Sequence, residues 1–229
     1  MTHSESYFTN KGPLQSNSLK NQAYQQIKDA VLYRRIQTGK VYSQDDFCNE
    51  LGISRTPVRE ALIALQSEGF IKFVRGRGFQ VVEITRKEAL DIIELRRNIE
   101  AFGTELAAER ITEQQLVQLR RTYEDMVTLG KAGDSSALYR KDYDFHAIIF
   151  EATGNSWLID LNKKIRENFL RIENQCAFTK RKFAAEVFKE HERILLSLEE
   201  RNPKKAIRAM QLHMKHTAHR TLINVLGEE

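Results

Sequence analysis

The chain has 229 residues, of which 41 % are hydrophobic and 29 % charged, and its formal net charge is +5, the balance of a water-soluble globular protein with enough chain for two small domains. No run of about 18 or more apolar residues occurs, which excludes a transmembrane helix, and the polar N-terminus lacks the apolar core of a secretory signal. Cys48 and Cys176 are the only cysteines and lie far apart, so they offer neither a disulfide framework nor a thiolate metal site and fit a reduced, cytoplasmic protein.

Residues 1–18 are polar and read as a disordered tail. From Leu19 a helical period begins. Ala23, Ile27, Ala30, Val31 and Ile36 form one apolar stripe, closed by Gly39. Ser43 is placed to start a second helix, with Asp46 as its capping-box partner and Phe47 and Leu51 as apolar contacts. Gly52 breaks that helix. Ser54 can N-cap a third, running through Glu60, Ala61, Leu62 and Leu65 to Gly69. Two β-prone runs, Phe70–Val74 and Phe79–Ile84, then flank Arg75-Gly76-Arg77-Gly78, which predicts a tight hairpin. Helix, helix, turn, helix and β-hairpin in that order make a winged helix-turn-helix over residues 19–84.

Beyond Ile84 the strand signals vanish. Thr85 and Glu88 predict a capping box for a helix to about Glu109, and Thr112 opens another that ends near Gly130 and Gly133. Asp134 starts a third, stopped by Gly154, and further helices are expected over Ser156–Phe178 and Phe183–Glu200. Asn202-Pro203 supplies an N-cap and a first-turn proline for the last helix, which ends before Gly227. The expected fold is therefore mainly α: an N-terminal winged helix-turn-helix followed, over residues 85–229, by an antiparallel six-helix bundle.

Charge marks the first domain. From Ser54 to Val81, Arg55, Arg59, Lys72, Arg75 and Arg77 face only Glu60 and Glu68, the footprint of a phosphate-binding surface, or else of a solvated helix face with a basic hairpin. In a helix-turn-helix the N-terminus of the second helix lies nearest the base edges of the major groove. Here that segment is Ser54, Arg55, Thr56, Pro57, Val58 and Arg59, and Arg55 and Arg59 share a helix face. Arginine suits bidentate contact to guanine as well as phosphate neutralisation. Ser54 and Thr56 suit phosphate, and Arg75 and Arg77 at the hairpin tip can reach the backbone or the minor groove.

Polar residues mark the second domain. In its third helix Leu138, Asp142, Phe145, His146, Ile149 and Thr153 fall on one stripe, so a carboxylate and an imidazole four residues apart interrupt a core face. His191 sits at the middle of the stripe Phe183, Val187, His191, Ile194, Leu195 and Leu198, and His213 at the middle of Ala206, Met210, His213 and Thr217. One histidine on an apolar face is commonly a satisfied core residue. Three of them with an inward aspartate cost several kcal/mol unless partnered. A divalent metal resolves that cost: zinc first, with nickel, manganese and iron as the alternatives. His216 and His219 read as rim residues. Arg96 lies inward on the first bundle helix and needs an anion, either Glu100 one turn on or the carboxylate of a ligand.

The run Leu51-Gly-Ile-Ser-Arg-Thr-Pro-Val-Arg-Glu-Ala-Leu62, followed by Leu65, Glu68-Gly69-Phe70 and the glycine-rich wing, closely resembles the GntR family of bacterial repressors. Two departures accompany the match. The loop Gly39–Ser43 is shorter than the family's usual proline- and glycine-containing one, and Asp45 stands where many members carry a basic residue, which bears on operator preference. Asp142-x-x-Phe145-His146, Gly154-Asn155, Glu190-His191 and Ala209-Met210-x-x-His213 resemble the FCD ligand-binding domain of the FadR subfamily. That resemblance implies a metal held by Asp142, His146, His191 and His213, and a small organic acid as effector. The protein expected is a homodimeric repressor that binds a palindromic operator on double-stranded DNA, is controlled by that acid, and is no enzyme. A metal-dependent hydrolase, or a regulator whose metal is purely structural, is the competing reading.

Overall fold

A computed structural model describes residues 19–172 and 181–226. The expected tail at 1–18, and the end of the helix expected to reach Phe178, lie outside the described residues. The chain divides into two compact units between Glu83 and Ile84.

In the first unit α1 spans Leu19–Leu32 and buries Ala23, Ile27 and Val31, one residue per turn, against α3. Its helix ends before Ile36. Arg35 N and Ile36 N both donate to Ala30 O at 2.9 and 3.2 Å, and Arg34 takes the left-handed φ of 52°, so the helical ladder closes in a wider turn and the chain leaves the axis ahead of Gly39. A two-residue strand β1, Val41–Tyr42, follows; it is too short for any period to announce it. α2 covers Gln44–Leu51 and α3 Arg55–Ser67. Ser43 caps α2 by accepting from Asp45 N, not through the expected box with Asp46. α3 buries Val58, Ala61, Leu62 and Leu65 completely.

The hairpin pairs β2, Ile71–Val74, with β3, Gly78–Val81, and β1 adds to the other side of β3, giving the order β1-β3-β2. Tyr42 pairs with Phe79 in that register. A Cβ at Gly78 would stand 2.0 Å from Tyr42 O, so the sharp approach of β1 to the hairpin requires glycine there. Phe79 fills the space beneath the sheet, with the Phe47 ring 5.0 Å away, centroid to centroid.

The second unit holds α4 (Arg86–Arg110), α5 (Glu113–Ala132), α6 (Ser135–Ala152), α7 (Ser156–Ile172), α8 (Arg181–Glu199) and α9 (Pro203–Leu226). Capping boxes start α4 at Thr85/Glu88 and α5 at Thr112/Gln115. Asp134 and Asn202 cap α6 and α9 through side-chain oxygens. α4 is the central helix, packed on α6, α7 and α9, while α5 packs on α6 and α8 and α8 on α9. Where α4 meets α6, a Cβ on Gly103 would come 2.6 Å from the Phe150 ring; glycine sets that spacing. The architecture is a winged helix-turn-helix plus an antiparallel helical bundle.

Candidate metal centre and nucleic-acid interface

In the bundle, α6 contributes Asp142 and His146, α8 contributes His191, and α9 contributes His213. One ligand atom from each of the four lies within 4.8 Å of all the others. The three imidazoles are buried and crowd together, the His191 and His213 ring centroids 4.5 Å apart and the His146 and His213 rings stacked at 5.3 Å.

Each ring is turned by an acceptor behind it. His146 Nδ1 donates to Glu100 Oε2 at 2.9 Å, His191 Nδ1 to Val187 O at 2.8 Å, and His213 Nδ1 to Glu190 Oε2 at 2.7 Å. A carboxylate or carbonyl only accepts, so each neutral ring carries its proton on Nδ1 and presents a bare Nε2. His146 Nε2 and His191 Nε2 have no hydrogen-bond partner. His191 Nε2 nevertheless stands 2.9 Å from Asp142 Oδ1. A lone pair aimed at a carboxylate oxygen is repulsive unless a cation or a proton stands with them. Three imidazoles with their outer nitrogens fixed by acceptors, and an adjacent carboxylate, are a group that could hold a divalent metal ion.

The charges agree. Burial, with Arg166 nearby, pushes His146 down to about 4, and burial together with the neighbouring histidines pushes His213 down to about 3; both rings are neutral at physiological pH, as ligands must be. Burial opposes ionisation of Asp142, but the carboxyl is held well below its usual range, with the Arg166 guanidinium 3.3 Å away favouring the charged form. Glu190 is likewise held low against burial by hydrogen bonds from His213 and Arg220.

These directions set a pH dependence. Between the ordinary histidine pKa and the folded values, the unfolded chain binds protons that the metal-free native state refuses, and the lowered carboxylates act the same way further down. Stability is full above about pH 6.5 and falls as the pH drops, by roughly 1.4 kcal/mol per histidine per pH unit. The melting temperature of chelator-treated protein should therefore decline steadily from pH 7 to pH 5. A flat profile would show that His146 and His213 are already protonated when folded.

Sequence reasoning missed the residues behind the ligands. In the sequence Glu100 stands out only as a partner for Arg96, yet it orients His146 and also accepts from Arg166 at 3.2 Å. Arg166, on α7, reaches Asp142 Oδ2 at 3.3 Å as well. Glu190 receives His213, His216 Nδ1 at 2.7 Å, and both terminal nitrogens of Arg220 at 3.0 and 2.9 Å. The helical spacing of His213, Thr217 and Arg220 was the available signal. Arg96 is buried, 3.3 Å from Glu100 Oε1 and 4.1 Å over the Phe169 ring, so the protein itself supplies an anion for it. His216 is partly exposed on Glu190, and His219 is exposed.

In the first unit Ser54, Arg55, Thr56 and Arg59 are exposed at the N-terminal end of α3, and Arg75 and Arg77 are exposed at the hairpin turn closed by Arg77 N to Val74 O at 3.0 Å. Gln44 Nε2 donates to Arg55 O at 2.8 Å, and Arg55 Nη2 meets Asp45 Oδ2 at 2.8 Å, tying the first turns of α2 and α3 together. Among the described residues no helix is long and apolar enough to cross a membrane.

Comparison with known proteins matches both units. The family model described as bacterial regulatory proteins, gntR family, covers residues 19–81, and the FCD domain model covers residues 91–216. The HTH-type transcriptional regulator YdhC of Bacillus subtilis, itself uncharacterized, is 24 % identical over 198 residues, spanning 85 % of this chain and 87 % of its own. The HTH-type transcriptional repressor NanR of Klebsiella aerogenes is 26 % identical over 209 residues, 77 % of this chain and 75 % of its own. Among solved structures, Escherichia coli McbR/YncC superposes with a TM-score of 0.76 at 19 % identity, covering 90 % of this chain and 98 % of that one.

Proposed function

Because this chain belongs to the GntR family of bacterial transcriptional regulators and carries an FCD domain, we propose that it is a metal-containing repressor whose grip on DNA is set by a small organic acid. The convergence of Asp142 and the unprotonated faces of His146, His191 and His213 within 4.8 Å carries this reading. Those four residues hold one divalent ion, zinc first among the candidates, with nickel, manganese or iron as alternatives. Bound there, the ion supplies positive charge for a carboxylate entering the bundle. Arg166 and Arg96, both on the Glu100 carboxylate, add cationic hydrogen-bond donors beside it. On the DNA side Arg55 and Arg59 face the major groove, Ser54 and Thr56 its phosphates, and Arg75 and Arg77 the backbone or minor groove.

A panel of small mono-, di- and tricarboxylic acids screened by thermal shift tests the reading. At about 100 times its Kd an acid stabilises the native state by about 2.7 kcal/mol. The rise should appear in metal-loaded protein, vanish in chelator-treated protein, and shrink in Arg96→Ala, which keeps its metal. No rise with any acid, or the same rise without metal, would overturn it.

A palindromic operator calls for a two-fold dimer. We place its contact on the outward face of α4, where Leu95 and Phe102 are 45 % and 49 % exposed, with Ile99 half-buried between them and Leu106 half-buried one turn on. Glu94, Arg97 and Glu105 flank the stripe with both signs of charge, which a two-fold axis can make complementary. Phe102→Glu should turn a dimer into a monomer in analytical ultracentrifugation while metal content stays at one ion per chain. A variant that still sediments as a dimer would move the interface elsewhere.

A further inference from the structure

Among the described residues, of the four arginines placed on the DNA side, Arg55 alone has an ionic partner: Asp45 Oδ2 at 2.8 Å. Both side chains are exposed, 75 % for Arg55 and 53 % for Asp45, so the pair adds little to folding. Nor is Asp45 needed to favour the N-terminus of α2, because Asp46 stands in the same first turn. A carboxylate at the mouth of a DNA-reading surface repels phosphate. It also cancels the charge of Arg55, which then releases no counterion when the protein meets the backbone. What a carboxylate can do in the major groove is accept a hydrogen bond from the amino group of cytosine, while an arginine fork donates to guanine O6 and N7. The Gln44 side chain, donating to Arg55 O at 2.8 Å, fixes the backbone from which Arg55 reaches out.

We infer that Asp45 and Arg55 form one base-reading unit, in which Asp45 holds the guanidinium away from phosphates and makes this half of the recognition surface selective for a guanine–cytosine step. Affinity for arbitrary DNA is lower in consequence, and discrimination higher. The inference rests on the DNA-reading role of α3 and adds the division of labour between its two arginines: Arg55 with Asp45 reads bases, and Arg59, with no ionic partner among the described residues, is left free for backbone or base.

The test is a selection from a pool of randomised duplexes, followed by binding of the full-length protein to the selected duplex and to a random duplex of equal length. Wild type should enrich a site with a fixed guanine or cytosine position in each half. Asp45→Asn, which keeps the shape and α2, should lose the preference at that position. It should bind the random duplex several-fold more tightly, with a salt dependence steeper by about one unit as Arg55 takes up a phosphate. Asp45→Asn combined with Arg55→Ala should bind the random duplex no better than Arg55→Ala alone. An unchanged selected site in Asp45→Asn would overturn the inference, as would equal tightening on both duplexes, which is the mark of a merely repulsive charge. Failure of the wild type to enrich any sequence would overturn the DNA-reading role as well, and so is distinguishable.

Discussion

Replacing His191 and His213 together by alanine should empty the bundle of its divalent ion and lower the melting temperature of the purified protein by roughly 5–10 °C. The magnitude follows from linkage: a ligand present at about 100 times its Kd adds about 2.7 kcal/mol to the native state, and in a unit of this size each kcal/mol moves the transition by about 2–4 °C. The two substitutions remove half of the four ligands and leave Asp142 and His146, a pair separated by 4.0 Å, to hold a metal alone. Chelation is the internal control. It should lower the wild-type transition and leave that of the variant unmoved, because the variant has no ion to lose. Elemental analysis should read about one ion per wild-type chain and none in the variant. A variant with full metal content, or a wild type indifferent to chelator, would show the four residues to be a buried hydrogen-bonded cluster and nothing more.

Arg55→Ala and Arg59→Ala should each weaken binding to the selected duplex by about 1–3 kcal/mol if the side chain reads a base edge. Neither residue carries the fold: both are exposed on α3, whose packing is done by Val58, Ala61, Leu62 and Leu65, so the loss belongs to recognition. Arg75→Ala, at the hairpin turn, should weaken binding to all sequences alike and flatten the salt dependence by about one unit. Fluorescence anisotropy on selected and random duplexes separates the two behaviours. Unchanged affinity for the selected duplex in both α3 variants would remove that helix from the major groove.

How much of this was legible in the sequence depended on whether a signal was periodic or local. The starts of α4, α5, α6 and α9 were read nearly to the residue because Thr85, Thr112, Asp134 and Asn202 announce them through chemistry that the side chain itself performs. The end of α1 was not, since Ile36 continues the apolar stripe while the backbone has already turned at Arg34. β1 escaped because two residues have no period; Gly78, where a Cβ would stand 2.0 Å from Tyr42 O, already reads as a hairpin glycine and so does not announce it. The four candidate ligands stood out as polar residues on apolar faces. Glu100, Arg166, Glu190 and Arg220 did not, because a charged residue on an amphipathic helix looks the same whether it faces water or a buried partner. Arg96 shows the same ambiguity from the other side: its helical stripe marks it as inward, and Glu100 supplies the anion that the sequence alone leaves open between Glu100 and a ligand.

In the proposed function one site in the bundle, holding metal and acid together, governs the affinity of the winged helix-turn-helix for DNA. Such control requires the acid to bind the DNA-competent and DNA-incompetent states unequally. The direct measurement is the Kd for the selected duplex with and without the acid that shifts the thermal transition, in wild type and in the His191→Ala/His213→Ala variant. The wild-type Kd should rise at least five-fold on adding the acid, the lower end of ordinary coupling energies, and that of the variant should not move. An acid that stabilises the wild type yet leaves its DNA affinity unchanged, or that alters both proteins equally, would contradict the account.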